Sequence, residues 1–589
     1  MNRKIKSFTA LITACLSVLI AACGNGTTDL KREGVISIDE SLLRKRIPCP
    51  EAQTPSRYDQ VSSIDGGQTT YYIYNASQLA SIAMHADAYS QQFVQCAPID
   101  LREYYTYKTR FFTIGGNLLA FEGHYDGNHY PIKGFRFDTD FAYAPNLPVI
   151  SAEGQTIRDS FDNIGLFGKI GGSAVIQNMI LENPQVRATG YRRFIGSFAG
   201  AIDMPSSAGV ESAKISKILV INPYVDADYS VGGFVGRVYG VVDVTDVNIK
   251  GGEVRGLWQA GGAFGEALRN TSVGEGYATK ISHVSTSANV GIKTLSETGN
   301  SHHGGFVGYA ERVVIEYCSA TGNLNQIDTY TDQRSPVAGG FIGTVAHDAQ
   351  ISWSYATGNV TANRGYLGGF VGKVDINRVK LSNVYAAGTI LNKAPAGNDR
   401  ALASGFIAHV NYDFGPANIE LKNVYSSGEV RMPNHNGSGD AGAGGIFGHT
   451  RQQMASSVIQ DSFTVSNIIA PGLSQGHIGY VIGYRYDSTF PAVTNLFNYS
   501  GAICQGQTVC NEVGANPVST LQSFHEPTSS VFQNWEFGRQ KWNAKFAIVQ
   551  NANGFGIEYV GPPTIPYARS RYSGIIGGDV PADQNNADL

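Results

Sequence analysis

The chain has 589 residues, of which 70 are glycine, 11% are aromatic and only 16% carry a charge. Average proteins contain about 7% glycine, so this composition indicates many tight turns or close backbone contacts around a large aromatic core. The formal net charge of −4 and the lack of a long basic stretch argue against a nucleic-acid partner.

The first 22 residues have the layout of a bacterial export signal. Basic residues at positions 3, 4 and 6 precede an apolar stretch, Phe8 to Ala22, that is too short to remain as a membrane span. The small residues directly before Cys23 resemble the lipobox of bacterial lipoproteins. The resemblance implies cleavage before Cys23, diacylation of its thiol and acylation of its new amine, with palmitate as an acyl chain. It also implies sorting to the outer membrane, because residue 24 is glycine rather than aspartate. An ordinary secretory cleavage that leaves Cys23 as a spare thiol is the alternative.

Residues 23–70 are polar and irregular, and we interpret them as a tether between the lipid and the folded part. The basic cluster Arg44–Arg46 fits a solvated linker better than a binding patch.

Five cysteines remain once the signal cysteine and the acylated cysteine are set aside, so at least one is unpaired. An exported protein can form disulfides. A Cys49–Cys96 bond would fasten the tether to the first folded segment, and a Cys504–Cys510 bond would close a small loop, although sequence does not fix connectivity. Cys318 has the surroundings of a small buried hydrophobe.

Residues 71–159 are predicted to form an N-terminal cap and the entry coils. The segment Tyr74–Ala83 offers an Asn or Ser cap and apolar residues at helical spacing, which predicts a short helix over the first coil. Six tyrosines near this start, at positions 71, 72, 74, 104, 105 and 107, suit either packing of the cap or stacking on sugar rings.

A tight turn follows at residues 126–128. In it, His124 and His129 flank Asp126, a set that could hold a metal ion. The Asp-Gly-Asn sequence is itself turn chemistry, so we expect a plain turn and no metal or other cofactor.

A short glycine phrase, typified by Gly232-Gly-Phe-Val-Gly236, recurs through the middle of the chain. Its phenylalanines are 29 to 42 residues apart, with a mean of 35, which marks a repeat array. They are Phe167, Phe198, Phe234, Phe264, Phe306, Phe341, Phe370, Phe406 and Phe447.

Each phrase is followed by alternating apolar and polar residues that end in a small-residue turn, as in Leu381–Gly388 and Leu421–Gly428. This alternation predicts short strands with one buried face. A unit of three such strands must stack on its neighbours to bury that face. Residues 160–490 are therefore predicted to be an all-β, right-handed parallel β-helix of about ten coils, with the phenylalanines as an internal ladder and glycines that permit close approach or positive φ.

The glycine phrase resembles the GLUG repeat of bacterial surface proteins, which include adhesin-like chains and non-catalytic parts of IgA1-protease-like metallopeptidases. The resemblance covers about residues 160 to 485. It implies a parallel β-helix, a cell-envelope location and a role in adhesion or envelope interaction.

Residues 491–589 are predicted to form a C-terminal cap and a polar tail. An aromatic plug is expected from Phe532–Trp535 and Trp542, because the last coil of a solenoid must be covered.

The sequence lacks the common catalytic signatures. His525-Glu526 is not followed by the second histidine of a zinc-protease motif, and neither a nucleophile elbow nor a phosphate loop occurs. The pair His302-His303 fits an exposed loop. The carboxylate pairs at positions 226 and 228 and at positions 243 and 246 fit solvated coil faces better than an acid–base pair.

These observations predict a non-enzymatic outer-membrane lipoprotein whose partners are the membrane, through Cys23, and a glycan or surface protein. A polysaccharide lyase or glycoside hydrolase with a groove on the coils remains an alternative, because such sites leave no local signature. A structural envelope component is a third interpretation. The ligand, the oligomeric state and the surface or periplasmic orientation are left open.

Overall fold

A computed structural model gives the fold. The residues that it describes are 46–51, 55–102, 113–138, 146–150, 156–160, 162–188, 194–204, 212–269, 279–293, 301–327, 335–375, 378–395, 401–411, 418–435, 439–451, 454–474, 476–486, 490–506, 510, 515–519, 521–524, 529–532, 534, 546–551 and 554–559.

The protein is all-β and is built from coils whose strands lie in long parallel sheets, as in a parallel β-helix. One coil consists of Ser230–Gly232, Val235–Tyr239, Val242–Lys250 and Glu253–Gly256, and the next begins at Gln259. Each coil thus has four strands and not the predicted three. The extra strand arises because the glycine phrase is a bend between two strands and not a turn after one.

We number the sheets I to IV in the order in which a coil passes through them. Sheet I contains Asn163–Ile164, Phe194–Gly196, Ser230–Gly232, Gln259–Gly261, His302–Gly304, Val337–Gly339, Gly365–Gly368, Ala401–Ser404, Gly442–Gly444 and Ile478–Gly479. Sheet II contains Phe167–Ile170, Ala199–Asp203, Val235–Tyr239, Phe264–Leu268, Val307–Glu311, Ile342–Ala346, Val371–Asp375, Ile407–Asn411, Phe447–Thr450 and Ile482–Arg485.

Sheet III carries the longest strands and extends into both ends of the fold. It contains Ser62–Asp65, Gln68–Ile73, Gln92–Gln95, Ile99–Asp100, His124–Asp126, Pro131–Lys133, Val175–Glu182, Ala213–Ile221, Val242–Lys250, Thr279–Thr286, Val313–Glu316, Ser319–Ala320, Gln350–Ala356, Val379–Ala386, Ile419–Ser426, Val458–Thr464, Ala492–Tyr499 and Asn516–Val518.

Sheet IV closes each coil. It contains Arg136–Asp138, Gln185–Ala188, Tyr224–Ala227, Glu253–Gly256, Asn289–Ile292, Leu324–Gln326, Val360–Ala362, Ile390–Asn392, Val430–Arg431, Ile468–Ile469 and Cys504–Gln505. Two separate antiparallel hairpins pair Asn146–Ile150 with Thr156–Ser160 and Phe546–Asn551 with Gly554–Tyr559.

The nine phenylalanines of the glycine phrases have no exposed surface. From Phe167 to Phe406, successive ring centroids are 4.6 to 6.0 Å apart, so the rings form a continuous internal column. The column shifts by one residue where Phe264 pairs in register with Val235 and Val307. The phenylalanine ring of the column can therefore come from either of two neighbouring positions in the glycine phrase.

The glycines of the phrases are needed because two backbone segments approach each other closely, and not because the backbone adopts a positive φ. None of them lies in the left-handed region among the described residues. A Cβ atom at Gly304 would overlap the carbonyl oxygen of Val307 in the same phrase. A Cβ atom at Gly308 would lie 2.7 Å from the carbonyl oxygen of Gly265 and 2.8 Å from the amide nitrogen of Ala260 on the preceding coil. The backbones of sheets I and II touch at this bend.

Left-handed residues form a second column, in the middle of the long strands of sheet III. Their φ angles are all between 50° and 59°, although none of them is glycine. Six are Asn or Asp, which tolerate this conformation best. The column consists of Asn178, Lys217, Asp246, His283, Tyr317, Trp353, Asn383, Asn423, Asp461 and Asn495.

The N-terminal cap is a helix, Ala76–Met84, with 3-10 turns on both sides at Tyr58–Gln60 and Ala86–Ser90. The side chain of Asn75 caps the helix by accepting from the backbone N–H of Gln78 at 3.0 Å. Leu79 and Ile82 pack fully buried against the coils.

The folded part begins before residue 71, where the sequence analysis ended the tether. Ser62–Asp65 already pairs with Gln68–Ile73, and the carbonyl oxygen of Ile47 accepts from Asn128 Nδ2 at 3.0 Å. The disulfide Cys49–Cys96, with Cα atoms 5.8 Å apart, fastens this segment further. The polar composition of the segment concealed its strands because both of their faces are largely exposed at residues 62–68.

The C-terminal end folds back over the outside of sheet III. Phe524 and Val531, from the 3-10 turns Leu521–Phe524 and Ser530–Phe532, cover a separate buried cluster that includes Tyr425 and Phe463. The predicted plug residues Trp535 and Trp542 lie outside the described residues. Among the described residues, no helix has the length and apolar character needed to cross a membrane.

We expect Gly304→Ala to lower the free energy of unfolding by about 2–3 kcal/mol, because the added methyl group must displace backbone. Urea denaturation of the two purified proteins measures this loss. The matched control is Gly291→Ala in sheet IV, where the nearest atom to the new Cβ is the side-chain end of Ile327 at 3.0 Å. Equal losses in both variants would show that the bend does not require close approach.

Candidate functional site

The first strands of sheet IV present two outward columns of polar side chains. In register, Arg136, Gln185, Tyr224 and Glu253 form one column, and Asp138, Arg187, Asp226 and Arg255 form the other. The residues between them, such as Val186 and Val225, are fully buried. We call these two outward columns the sheet IV face. Strand alternation alone positions it, because each core residue sends its two neighbours outward.

An open depression of about 450 Å³ lies on the sheet IV face. Its lining residues combine two arginines, one carboxylate, one amide and two aromatic rings, and they are Arg136, Phe137, Asp138, Gln185, Arg187 and Tyr224.

The two arginines of the depression differ in their ion pairing. Arg136 Nη2 lies 3.7 Å from Asp138 Oδ2, whose side chain is only 6% exposed. Arg187 is exposed and makes no ion pair with any residue that the structure describes. The depression therefore has one neutralised arginine and one that is available to an anion.

Tyr224 is held by contacts on two sides. Its hydroxyl donates to Asp226 Oδ2 at 3.2 Å, and the guanidinium carbon of Arg255 lies 5.4 Å from its ring centroid. Burial raises the pKa of the Tyr224 hydroxyl, and the nearby Asp226 adds to this effect. Arg255 is itself fixed by Glu253, at 2.8 Å and 3.1 Å.

The carboxylates of Asp226 and Asp228 share one cation. Lys293 Nζ is in contact with Asp226 Oδ1 and lies 3.9 Å from Asp228 Oδ1. The pair that the sequence offers as an acid and a base is therefore engaged in ion pairs with one lysine. Just beyond this lysine pair, the rings of Tyr229 and Trp258 lie 6.3 Å apart, and Tyr229 is 41% exposed.

Aromatic faces beside planar hydrogen-bonding groups form the usual chemistry of a carbohydrate site. The sheet IV face offers such rings in Tyr224 and Tyr229 and such polar groups in Gln185 and Arg187. The sheet IV face therefore places an aromatic ring, an amide and a guanidinium side by side at an accessible surface.

A second polar region lies where sheets I and II meet. Outward side chains of both sheets touch each other there: His302 Nδ1 bonds Thr344 Oγ1 at 2.7 Å, and the rings of His477 and Tyr484 stack at 4.3 Å. Outward side chains on successive strands converge only if the corner bends inward. We call this re-entrant corner the crease.

The crease contains a buried carboxyl group at Glu266, which is 6% exposed. Burial raises its pKa to about 7, against the lowering effects of Arg237 and of a hydrogen bond with Ser230. Arg237 Nε lies 3.9 Å from Glu266 Oε2, and the Arg237 guanidinium also lies over the rings of Phe194 and Tyr239.

Further along the crease, Lys373 Nζ pairs with Asp375 Oδ2 at 3.0 Å, and Asn411 Nδ2 donates to Asp375 Oδ1 at 3.0 Å. Burial lowers the pKa of His302 to about 4, and the nearby Lys373 lowers it further. His303 points the other way, into the core, where burial lowers its pKa to about 3. The predicted exposed pair is thus wrong for both histidines, because the glycine phrase begins directly after them and draws their strand into sheet I.

Sequence reasoning missed the crease residues. A signal was present, because the residue directly after the closing position of the glycine phrase faces the crease in each coil. Arg237, Glu266, Tyr309, Lys373 and His409 all occupy this position.

The metal candidates of the sequence analysis are occupied by hydrogen bonds. Asp126 accepts from the backbone N–H of Asn128 at 2.7 Å, from Gln177 at 2.9 Å and from Asn178 at 3.0 Å. His124 Nδ1 is 3.1 Å from Gln92 Nε2, and His129 is buried. Within the described part of the chain, no three metal-binding side chains come together.

The remaining candidates are placed apart from both regions. Asp243 pairs in register with Lys214 and Lys280, while Asp246 occupies the left-handed column of sheet III. A second disulfide joins Cys504 and Cys510, and burial raises the pKa of the free Cys318 thiol. Cys23 and His525 lie outside the described residues.

Comparison with known proteins adds no family. No protein-family model matches the chain, and no curated protein matches it.

The raised pKa of Glu266 predicts how stability depends on pH. Glu266 ionises near pH 4.5 in the unfolded chain but only near pH 7 in the fold, so its contribution is fully present below pH 4.5 and is lost as pH rises through 7. This loss is about 3 kcal/mol at most. Glu266→Gln should therefore gain stability relative to the native protein between pH 5 and pH 8.

Urea denaturation at pH 5 and pH 8 measures this difference. Glu311→Gln, at the end of the neighbouring strand of the same sheet and in an ion pair with Arg312, is the control that should show no such gain. A constant difference between the Glu266 variant and the native protein at both pH values would contradict the raised pKa.

Proposed function

We propose that this protein is an outer-membrane lipoprotein, anchored through Cys23, that binds a glycan or another envelope partner with the sheet IV face. The observation that carries the proposal is the depression on that face, which is lined by the half-buried ring of Tyr224 and by the exposed Arg187, a residue without an ion pair to any described residue. We further propose that the coils are GLUG repeats in a right-handed β-helix of about ten coils, since nearly all parallel crossovers are right-handed.

The amino-acid sequence supports the lipid anchor at Cys23. A basic start, an apolar stretch and small residues before Cys23 together fit a lipobox, and several acyl chains hold a protein stably at a membrane. The described residues offer no helical span that could do this instead. The sheet IV face belongs to the first coils of the stack, which follow the anchored end of the chain.

A polysaccharide hydrolase or lyase is the second candidate, and Glu266 favours it. A carboxyl group with a pKa near 7 can act as a general acid at neutral pH. Such an enzyme would work in the crease and not on the sheet IV face.

Residues 24–589, purified and incubated with a panel of polysaccharides, should bind at least one of them without producing new reducing ends or unsaturated products. Binding by the sheet IV face requires no bond cleavage. Turnover that Glu266→Gln abolishes would establish the enzymatic candidate in place of binding alone. Lack of binding to every glycan and every isolated envelope fraction would contradict the proposal.

Cys23→Ser should release the protein from the membrane fraction and prevent labelling by palmitate, because the acylated thiol is lost. Cell fractionation and metabolic labelling measure both effects, with Cys318→Ser as the matched control that keeps the anchor. Protease treatment of intact cells should digest the native protein if it faces the outside. A variant that remains membrane-bound and labelled would refute anchoring through Cys23.

A further inference from the structure

We propose that the depression on the sheet IV face recognises an anionic sugar unit, with the anion on the guanidinium of Arg187 and the sugar ring against Tyr224. This inference rests on the proposed function and narrows it to one ligand class.

Among the described residues around the depression, Arg187 is a cation that has no ion pair. In register, Arg187 stands between Asp138 and Asp226 on the neighbouring coils. Asp138 pairs with Arg136 at 3.7 Å, and Asp226 is engaged by Lys293 and by the Tyr224 hydroxyl. Both carboxylates that could neutralise Arg187 therefore have other partners.

A guanidinium group is suited to an anion with two oxygens. Its planar fork donates two parallel hydrogen bonds to a carboxylate or a sulfate, and it remains charged at every physiological pH. Gln185, two residues before Arg187 on the same strand, adds an amide donor and acceptor for sugar hydroxyls. The combination distinguishes an acidic sugar from a neutral one.

The ring of Tyr224 has one side available. Arg255 belongs to the following coil, so its guanidinium covers the side of the ring that faces away from Gln185. Tyr224 also lines the depression, and we place the sugar on the side of the ring opposite Arg255. The hydrogen bond from Tyr224 to Asp226 fixes the ring, so little conformational entropy is lost when a sugar stacks there.

The size of the depression limits the ligand. Its volume of about 450 Å³ is toward the lower end of the range for ligand pockets, which is roughly 300 to 1,000 Å³. Because the depression is open, a short stretch of a longer chain fits, and the rest of that chain remains in solvent.

The test measures binding of residues 24–589 to three immobilised chains of similar length: a uronate polymer, a sulfated glycan and a neutral glucan. We expect at least tenfold tighter binding to one anionic chain than to the glucan, which corresponds to about 1.4 kcal/mol. The tighter of the two anionic chains identifies the anion as a carboxylate or a sulfate.

Arg187→Gln should remove this preference and leave binding to the neutral glucan within twofold of the native protein. Arg187→Lys should restore only part of it, because a lysine does not donate in a fork. Tyr224→Ala should weaken binding to all three chains. The matched control is Arg431→Gln, which occupies the same column several coils away and is paired with Glu429. Thermal unfolding of each variant verifies that it is folded.

The outcomes separate this inference from the proposed function. Equal binding to the neutral and anionic chains, or an anionic preference that survives Arg187→Gln in the folded protein, overturns the anionic-sugar assignment while glycan binding stands. If the native protein binds none of the polysaccharides and none of the isolated envelope fractions, the proposed function itself is overturned.

Discussion

The contact of two backbones at each glycine phrase is the constraint on which the rest of the structure depends. Sheets I and II come this close at Gly304 and Gly308 because neither residue carries a Cβ atom, and one coil has the small residues Ser404 and Ala408 at the same two positions. The meeting turns the corner inward, which drives the phenylalanine of the phrase into the core, where it stacks on the rings above and below. The same corner creates the crease outside. One steric requirement thus produces both the internal column and the external polar region.

The outside of the coils varies where the inside repeats. The column that contains Arg187 and Arg255 continues in later coils as Gly291, Asn325 and Thr361, which carry no charge. The depression with Arg187 and Tyr224 therefore lies in the first coils, and the charge that returns to this column at Arg431 is paired with Glu429. The proposed binding through this face would therefore be local and would not sum identical contacts along the stack of coils.

Periodicity in the sequence was sufficient to predict the parallel sheets and the side chains that repeat inside them, because a buried position must recur once per coil. The Asn75 cap was predictable for a local reason, since a cap needs only neighbours in sequence. The fourth strand of each coil was not predictable from the sequence, because the same glycines can form a bend between two strands or a turn that follows a single strand. Nothing in the sequence around His283, Tyr317 and Trp353 indicated a left-handed conformation. In the fold these residues stack on one another from adjacent coils, with ring centroids 5.0 Å apart for His283 and Tyr317 and 6.2 Å apart for Tyr317 and Trp353, and this stacking supports the conformation.

Functional groups were harder to predict because they depend on pairing between coils. Asp226 and Asp228 look like an acid–base pair in sequence, and only the fold brings Lys293 to both. The polar residues of the crease are likewise not explained by the stability of the fold. Ala201, Val337 and Leu402 show that apolar side chains fit it well, and replacing a buried ion pair by apolar groups is often neutral or stabilising. Stability alone therefore does not require Glu266 and Arg237, and their presence sets these coils apart from coils that only support the fold.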